Sequence, residues 1–335
     1  MNTRTYPSFS SSSSLVRIAL SCIALLSFGA AAANAQSLGY EGPTGVFVTP
    51  LAYTSASPTH GLGKPSVAYH FLDTGSVVGT YSTVSITEGV AGRFEFGYTG
   101  VTHSAGEDKS NAVNLSPLWN SGYSIVHGKA TIVSENAFQQ KWLPAIAVGG
   151  IVRMNDSNVG NGVNSDSLHT ALSITSGVQG TTNGDIYLVA TKVIPQFTKI
   201  TKKVPLLLSG GVRGTNAQLW GIAGNAPEWS ANAFGTVGFV FTAPKKTTII
   251  LAAEAVQQPR HLAVTLPSGH ETGILDFPTS EVYAVRVTPG FAHKFNADLG
   301  VLQAAGNVGS SPTLPSVLVN LNARARVAFG LSYGF

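Results

Sequence analysis

The chain has 335 residues, of which 44% are hydrophobic and only 11% are charged, and its formal net charge is +4. The surface of a soluble domain normally carries about 25 to 35% charged residues, so this composition argues against an ordinary water-facing globule. The 16 Phe, 10 Tyr and 4 Trp supply too much apolar area for a disordered chain. The basic residues are few and scattered, which predicts no nucleic-acid partner. These properties favour a sheet-rich protein whose outer surface does not face water.

The first 35 residues have the pattern of a cleaved signal peptide. Arg4 and Arg17 precede an uncharged stretch over residues 18–33, and Ala33-Asn34-Ala35 is the small-x-small pattern that signal peptidase reads. This stretch is shorter than the ~20 apolar residues that a permanent helical anchor needs. Cys22, the one cysteine of the chain, lies in this segment. The predicted mature chain, from residue 36, therefore has no disulfide, thiol nucleophile or thiolate metal site.

Segments with a period of two recur along the remaining chain. In the first of them, Phe94, Phe96 and Tyr98 alternate with Arg93, Glu95 and Gly97, so a strand would carry aromatic residues on one face and charged residues on the other. A soluble β-sandwich also alternates, but its second face is densely charged, whereas here that face is mostly Gly, Ser, Thr and Ala. The pattern therefore favours a transmembrane β-barrel. Similar alternation occurs over residues 168–174, 206–212, 237–241, 249–253, 283–287 and 295–301.

The end of the chain has the clearest alternation. Every second residue from Ala323 to Phe335 is apolar, and the chain ends on an aromatic residue, which resembles the closing strand of bacterial outer-membrane barrels. The resemblance implies that the barrel assembly machinery and outer-membrane lipid are partners of this protein. The predicted fold is all-β, an antiparallel transmembrane β-barrel of about 12 to 14 strands in the cell outer membrane, with its closing strand at the C-terminus. The predicted assembly signal consists of Val327, Phe329, Leu331, Tyr333 and Phe335.

Turn residues divide the chain between these strands. Tight connections are predicted over residues 73–76, 243–246 and 288–290, and longer loops over 104–111, 155–167, 215–232, 259–280 and 303–316. The predicted barrel domain is 61–335. Residues 36–60 form a separate Gly/Pro-rich segment, because proline cannot donate to a sheet ladder. We expect this segment in the lumen or over the periplasmic mouth.

A family resemblance begins in that segment. The motif through Gly45 and Thr49-Pro50, followed by residues 67–70 and 93–98, resembles an uncharacterised (domain-of-unknown-function) family of Gram-negative outer-membrane proteins. It is more distantly similar to the barrels encoded in exopolysaccharide secretion operons. The resemblance covers residues 39–98 best. It implies an outer-membrane barrel and a connection with glycan export.

The chain matches some motifs of enzymes, but the matches lack features that those motifs require. Residues 330–334 match a nucleophile elbow, but that motif needs a following helix and the chain ends one residue later. The eight histidines are dispersed, and the loop that begins at Asp156 lacks the Gly and Glu positions of a calcium loop. No phosphate-binding or dinucleotide motif is present. We therefore predict no enzymatic activity, no cofactor and no metal site.

Ionisable residues recur on the faces opposite the aromatic residues, and a charge facing lipid at the midplane costs about 2 to 4 kcal/mol. We therefore expect them to line the lumen. The main hypothesis is a channel or export-assisting pore for small polar or anionic solutes or polysaccharide, and the alternative is a closed structural barrel that acts through its long loops. An outer-membrane hydrolase is the third interpretation. The candidate lumen residues are Arg93, Glu95, Arg153, Arg213, Glu254, Arg286, Lys294, Asp298, Arg324 and Arg326.

Overall fold

A computed structural model describes residues 37–75, 79–104, 122–155, 181–195, 204–219, 222–259, 263–265, 272–274, 279–304 and 325–335. Residues 1–35, assigned above to the signal peptide, and the alternating stretch 168–174 lie outside the described residues. No helix in the described part of the chain is long and apolar enough to cross a membrane.

The described chain forms a closed antiparallel β-barrel of 12 strands, which confirms the predicted fold class. Each strand pairs with its neighbours in the order of the sequence, and the last strand closes the barrel against the first. The barrel strands are β3 (Ser66–Asp73), β4 (Thr80–Val90), β5 (Phe94–Ser104), β6 (Tyr123–Val133), β7 (Ala145–Met154), β8 (Asn183–Ile194), β9 (Leu206–Leu219), β10 (Ile222–Ala243), β11 (Thr247–Val256), β14 (Ser280–Thr288), β15 (Phe295–Ala304) and β16 (Arg326–Gly334). Two small hairpins lie outside this order, β1 (Ser37–Leu38) with β2 (Thr44–Gly45) and β12 (Ala263–Thr265) with β13 (Thr272–Ile274).

The C-terminal strand closes the barrel as its alternation predicted. In β16, Phe329 lies opposite Phe71 of β3, and Leu331 lies opposite Tyr69. The rings of Phe71 and Phe329 stack with centroids 5.4 Å apart. Cross-strand aromatic pairs of this kind stabilise a sheet and fix its register. The closure gives β3 and β16 a hydrogen-bonded strand on each side.

The two ends of the barrel differ in the length of their connections. At one end the strands are joined by residues 91–93, 134–144, 244–246 and 289–294, and this is called the short-turn end. At the other, the long-connection end, β7 ends at Met154 and β8 begins only at Asn183. β3 ends at Asp73 and β4 begins at Thr80 at that same end. The hairpin of β9 and β10 also projects there, because β10 pairs with β11 only from Phe234 onwards. A loop was predicted over residues 215–232, and the structure instead continues β9 and β10 through most of that stretch.

Residues 37–56, which precede the first barrel strand, lie inside the barrel. Ser37–Ala56, called the plug from here on, is buried almost throughout, with Phe47 and Leu51 at 0% exposure. The plug starts at the short-turn end, where the hydroxyl oxygens of Ser37 and Ser332 are 2.6 Å apart. Its tip reaches Tyr123, the first residue of β6, at the long-connection end. It then returns to the short-turn end, so both arms of the plug use the same mouth of the barrel.

Candidate functional site

The candidate site is the interface between the plug and the barrel wall, where Glu254 binds three successive backbone N–H groups of the plug. This residue alternates with outward-facing residues of β11, so its side chain points inward. Its carboxylate accepts hydrogen bonds from the backbone N–H groups of Phe47 and Val48, both at 2.7 Å, and of Thr49 at 3.2 Å. Hydrogen bonds to a charged acceptor are stronger than neutral ones. Glu254 therefore holds the plug by its main chain rather than by a particular side chain.

An arginine on the neighbouring strand holds the preceding plug residues. Arg286 of β14 donates to the carbonyl oxygen of Gly45 at 3.3 Å and to that of Val46. Its Nε donates to Asp298 of β15 at 2.7 Å, which fixes the plane of the guanidinium group. Glu254 and Arg286 together bind successive N–H and C=O groups of one stretch of plug backbone.

A second charged pair binds the returning arm of the plug at three residues. The carboxylate of Glu95 accepts hydrogen bonds from the backbone N–H of Thr44 at 2.9 Å, from its hydroxyl at 2.6 Å and from the backbone N–H of Ser55 at 2.7 Å. Lys129 forms a salt bridge with Glu95 at 2.8 Å and donates to the carbonyls of Thr44 and Leu51 at 2.9 and 3.0 Å. Both charged side chains are fully buried. They therefore act as one unit that holds the beginning and the end of the returning arm together.

The tip of the plug is held by arginines near the long-connection end. Glu41 is the one charged residue of the plug. Its carboxylate accepts hydrogen bonds from Nε of Arg153 at 2.8 Å and from Nη2 of the same residue at 2.5 Å. Arg153 also donates to Asn183 at 3.0 Å and to Asp185 at 2.5 Å. Arg213 approaches the Glu41 carboxylate at 3.4 Å. The charged residues of the wall therefore determine how deep the plug sits.

Gly42 permits the turn at the plug tip. Its φ of +102° is a conformation that residues with a side chain rarely adopt. A Cβ added there would lie 2.5 Å from Thr99 Oγ1 and 2.6 Å from His127 Cε1. The hydroxyl of Thr87 donates to the Gly42 carbonyl at 2.9 Å. The wall therefore approaches the plug backbone too closely for any other residue.

An apolar cluster completes the interface near the short-turn end. Val46 and Leu51 of the plug pack in one buried group with wall residues of β8 to β11, and Tyr53 lies against this group. The phenol of Tyr53 donates to Glu135 at 2.7 Å. Burial, and then the charge of Glu135, hold the pKa of Tyr53 well above its usual value. The wall residues of the cluster are Val193, Leu207, Val240, Ile250 and Ala252.

The structure places the predicted lumen residues in different environments. Arg326 is half-buried at the start of β16, and Arg324 lies outside the described residues. Arg93 and Lys294 differ from the prediction: both are exposed in connections at the short-turn end, because the alternation continues past the ends of the strands. The predicted residues whose side chains are buried inside the barrel are Glu95, Arg153, Arg213, Glu254, Arg286 and Asp298.

The sequence prediction did not include Glu41, Lys129 and Asp185. In the structure Lys129 forms a salt bridge with Glu95, and Glu41 and Asp185 both form salt bridges with Arg153. Lys129 could have been found, because it continues the inward face that Tyr123, Ile125 and His127 form at every second position of β6. Glu41 offered no such signal, since it lies in a Gly/Pro-rich stretch with no period. In the described part of the chain no group of three or more His, Cys, Asp or Glu side chains is placed to hold a metal.

The outer face of the barrel is apolar along its whole circumference. Val84 of β4, Ile186 of β8 and Leu299 of β15 have 63, 60 and 59% of their surface exposed. An 11-residue strand such as β4 is about 36 Å long, and with a tilt of about 45° it spans about 25 Å, the height of the apolar band of outer-membrane barrels. The C-terminal residues predicted as an assembly signal belong to this face, with exposures between 37 and 54%: Val327, Phe329, Leu331, Tyr333 and Phe335.

A closed barrel with an apolar exterior and a polar, internally plugged lumen is the architecture of transmembrane β-barrels. Neither the protein-family models nor the curated proteins contain a match to this chain. Among solved structures it is similar to the KdgM porin in complex with disordered oligogalacturonate, at 12% identity and a TM-score of 0.38, over 81% of this chain and 99% of that chain. It is also similar to the NanC porin, at 8% identity and a TM-score of 0.39, over 81% and 98%. OmpT, an outer membrane protein of Vibrio cholerae, matches at 11% identity and a TM-score of 0.29, over 84% and 99%. The barrel fold itself is assigned from the strand pairing of this chain.

Proposed function

We propose that this protein is a non-enzymatic outer-membrane channel for small polar solutes, glycan units among them, and that the plug closes it. The observation that carries the proposal is the path of the plug. Both of its arms pass through the short-turn mouth, so the plug can withdraw as a hairpin without threading through the barrel. We place this mouth on the periplasmic side, where outer-membrane barrels have their short turns.

The chemistry of the interface supports a plug that separates from the wall. A barrel of about 8 strands is filled by its own side chains, whereas a wider barrel leaves space that something else must occupy. For a permanent filling, apolar residues would be at least as stable as buried ion pairs, because ion pairs lose their hydration on burial. Here the wall presents charged groups, such as Glu95 and Glu254, to the plug backbone. Such a wall would be readily hydrated after the plug leaves, which a channel requires.

The buried charges of the wall are balanced in the described part of the chain. The buried acids are Glu95, Asp185, Glu254 and Asp298, and the buried bases are Lys129, Arg153, Arg213 and Arg286. The sequence predicted an excess of bases. That excess is smaller in the structure, because Arg93 and Lys294 lie outside the barrel interior. Lys129 and Asp185 add one base and one acid to the buried wall residues, so they do not restore it. We therefore propose polar solutes in general as the cargo of the open barrel, and any preference for anions must come from a local site.

A disulfide lock tests the proposal. The hydroxyls of Thr49 on the plug and Thr236 on the wall are in hydrogen-bond contact, so the T49C/T236C variant places two thiols side by side. We add C22S to remove the native cysteine and measure single-channel conductance in planar bilayers, with and without reductant. The single variant T49C is the matched control. A second lock, S37C/S332C, uses the pair at the mouth.

We expect discrete conductance steps from the wild type and from the reduced lock. In the locked variant the steps should disappear on oxidation and return on reduction. Conductance that persists in the oxidised lock would show that the plug does not gate the barrel. No steps in either the wild type or the reduced lock would overturn the channel itself and favour a closed structural barrel.

A further inference from the structure

A cavity lies at the short-turn mouth, between the two arms of the plug and the wall. Its volume is about 160 Å³. A cavity of about 150 Å³ in a protein core holds a molecule of the size of benzene, so this one has room for a small ligand. Ser37 and Ser55 line it from the outgoing and returning arms of the plug, and Ser66 and Ser332 line it from β3 and β16. A ligand in this cavity would therefore contact the plug and the wall at once.

Several hydrogen-bond donors that line the cavity are free. Among the described residues, neither the ammonium group of Lys294 nor the hydroxyl of Ser66 has a hydrogen-bond or ion-pair partner. Ser332 accepts a hydrogen bond from the amide of Asn296 at 3.1 Å, and its hydroxyl oxygen is 2.6 Å from that of Ser37. Only one of the two serine hydrogens can lie in that contact, so the other can be donated to a ligand.

The charge of the lining favours an anion. Lys294 supplies a cation beside the imidazole of His293, and no acidic side chain is among the lining residues in the part of the chain that the structure describes. Asn296 and Ser332 are buried on the inner face of the wall, whereas Lys294 is exposed at the mouth. The cavity is therefore reached from the water at the mouth and not from the lipid around the barrel.

The positions of the donors distinguish between anions. They come from the plug, from β3 and from the residues around the turn between β15 and β16, so they face a ligand from several sides. A carboxylate has its two oxygens in one plane. A phosphate carries strong acceptor oxygens in a tetrahedral arrangement, and it can therefore accept from donors on different sides at the same time.

We propose that this cavity binds inorganic phosphate, with Lys294 paired to the anion and Ser66 donating a hydrogen bond to it. The ligand contacts the wall and both arms of the plug only while the plug is docked. A ligand that binds one of two states shifts the equilibrium towards that state, so phosphate at this mouth keeps the plug in place. The effect on conductance rests on the proposed channel function, whereas binding and plug docking do not depend on transport.

The first test is calorimetric titration of inorganic phosphate into the purified protein in detergent, at constant ionic strength and with chloride as the control anion. K294Q removes the cation and is expected to weaken phosphate binding by about tenfold. S66A removes one donor and is expected to weaken it by about threefold to tenfold. K141Q is the matched control and should bind like the wild type, because Lys141 is exposed at the same end but does not line the cavity.

The second test is amide hydrogen exchange of peptides from residues 37–56, with and without phosphate. At a phosphate concentration of about nine times the wild-type Kd, the undocked fraction and the exchange rate should fall about tenfold in the wild type and in K141Q. At the same concentration the fall in K294Q should be only about twofold, because its Kd is about tenfold higher.

The substituted side chains of Lys294 and Ser66 are exposed and half-buried, so both variants should fold. No saturable binding, equal binding of chloride, or equal phosphate affinity in the wild type, K294Q and S66A would overturn the inference. Phosphate binding that leaves exchange of the plug unchanged would also overturn it, because the plug would then not be part of the site. A protein that binds phosphate as expected but never conducts would refute the channel and leave this site intact.

Discussion

The contact between Glu254 and the plug backbone leads to the sharpest prediction. Replacing the carboxylate by the amide of E254Q keeps the shape of the side chain and removes its charge. Phe47 N–H points at Oε1, and the N–H groups of Val48 and Thr49 point at Oε2. Whichever way the amide is oriented, its NH₂ group faces at least one backbone N–H. One or two buried donors therefore lose their acceptor.

A buried donor without a partner costs about 1 to 3 kcal/mol, and the loss of charge weakens the bonds that remain. We expect E254Q to destabilise plug docking by about 3 kcal/mol, which raises the undocked fraction by about 150-fold. The other contacts of the plug, at Glu95 and Arg153, do not involve this side chain. The strands of the barrel should therefore stay paired and folded while the plug is released more often.

Amide hydrogen exchange followed by mass spectrometry measures this release. Peptides that contain residues 47–49 should lose about two orders of magnitude of protection in E254Q, while peptides from β4 and β5 should exchange as in the wild type. E281Q is the matched control, because Glu281 contacts Tyr283 and Gln303 and not the plug. If residues 47–49 keep wild-type protection in a folded E254Q, the carboxylate does not hold the plug and the reasoning fails.

Three further predictions concern the wall, the outer face and the returning arm of the plug. K129M leaves the Glu95 carboxylate buried without its cation, so it should lower the free energy of unfolding by about 3 to 5 kcal/mol in urea titrations. The double variant E95Q/K129M should recover part of this loss. If the effects of the two substitutions simply add, Glu95 and Lys129 are not a coupled pair. L331R places a cation on the exterior and should cost about 2 to 4 kcal/mol in lipid vesicles, more than L331A, whereas equal costs would mean that this face does not contact hydrocarbon. Tyr53 has a raised pKa in the folded state, so its contribution to stability is complete below its ordinary pKa of about 10 and falls above it as the unfolded chain ionises. Denaturation at about pH 9 and about pH 11 should show this fall in the wild type and less of it in Y53F; identical pH dependence in the two proteins would contradict the assignment.

The barrel could be predicted from the sequence because its signals are local. Every strand alternates between lipid-facing and inward-facing residues, so Phe94, Phe96 and Tyr98 reveal their common face without knowledge of any partner. The closing strand carries the same pattern up to Phe335. The alternation does not mark where a strand ends, however. This is why Arg93 was assigned to the lumen although it lies in a turn.

The plug could not be derived in the same way. Its structure depends on contacts with residues far along the chain, such as that between Val48 and Glu254, which are separated by 206 positions. The plug offers mainly backbone N–H and C=O groups to these contacts, and those groups are present in any sequence. Its Gly and Pro residues exclude a regular strand but do not specify what replaces it. The sequence therefore leaves the lumen and the periplasmic mouth as alternative locations, and the path and contacts of the plug follow only from the closed barrel around it.

The single-mouth path of the plug has a consequence for biogenesis. The plug precedes every barrel strand in the sequence, yet its binding groups are distributed over strands from β5 to β14. They converge only when β16 has joined β3 and the cylinder is complete. We therefore expect the hairpin to insert after the strands have paired, so that an occupied interior marks a completed barrel.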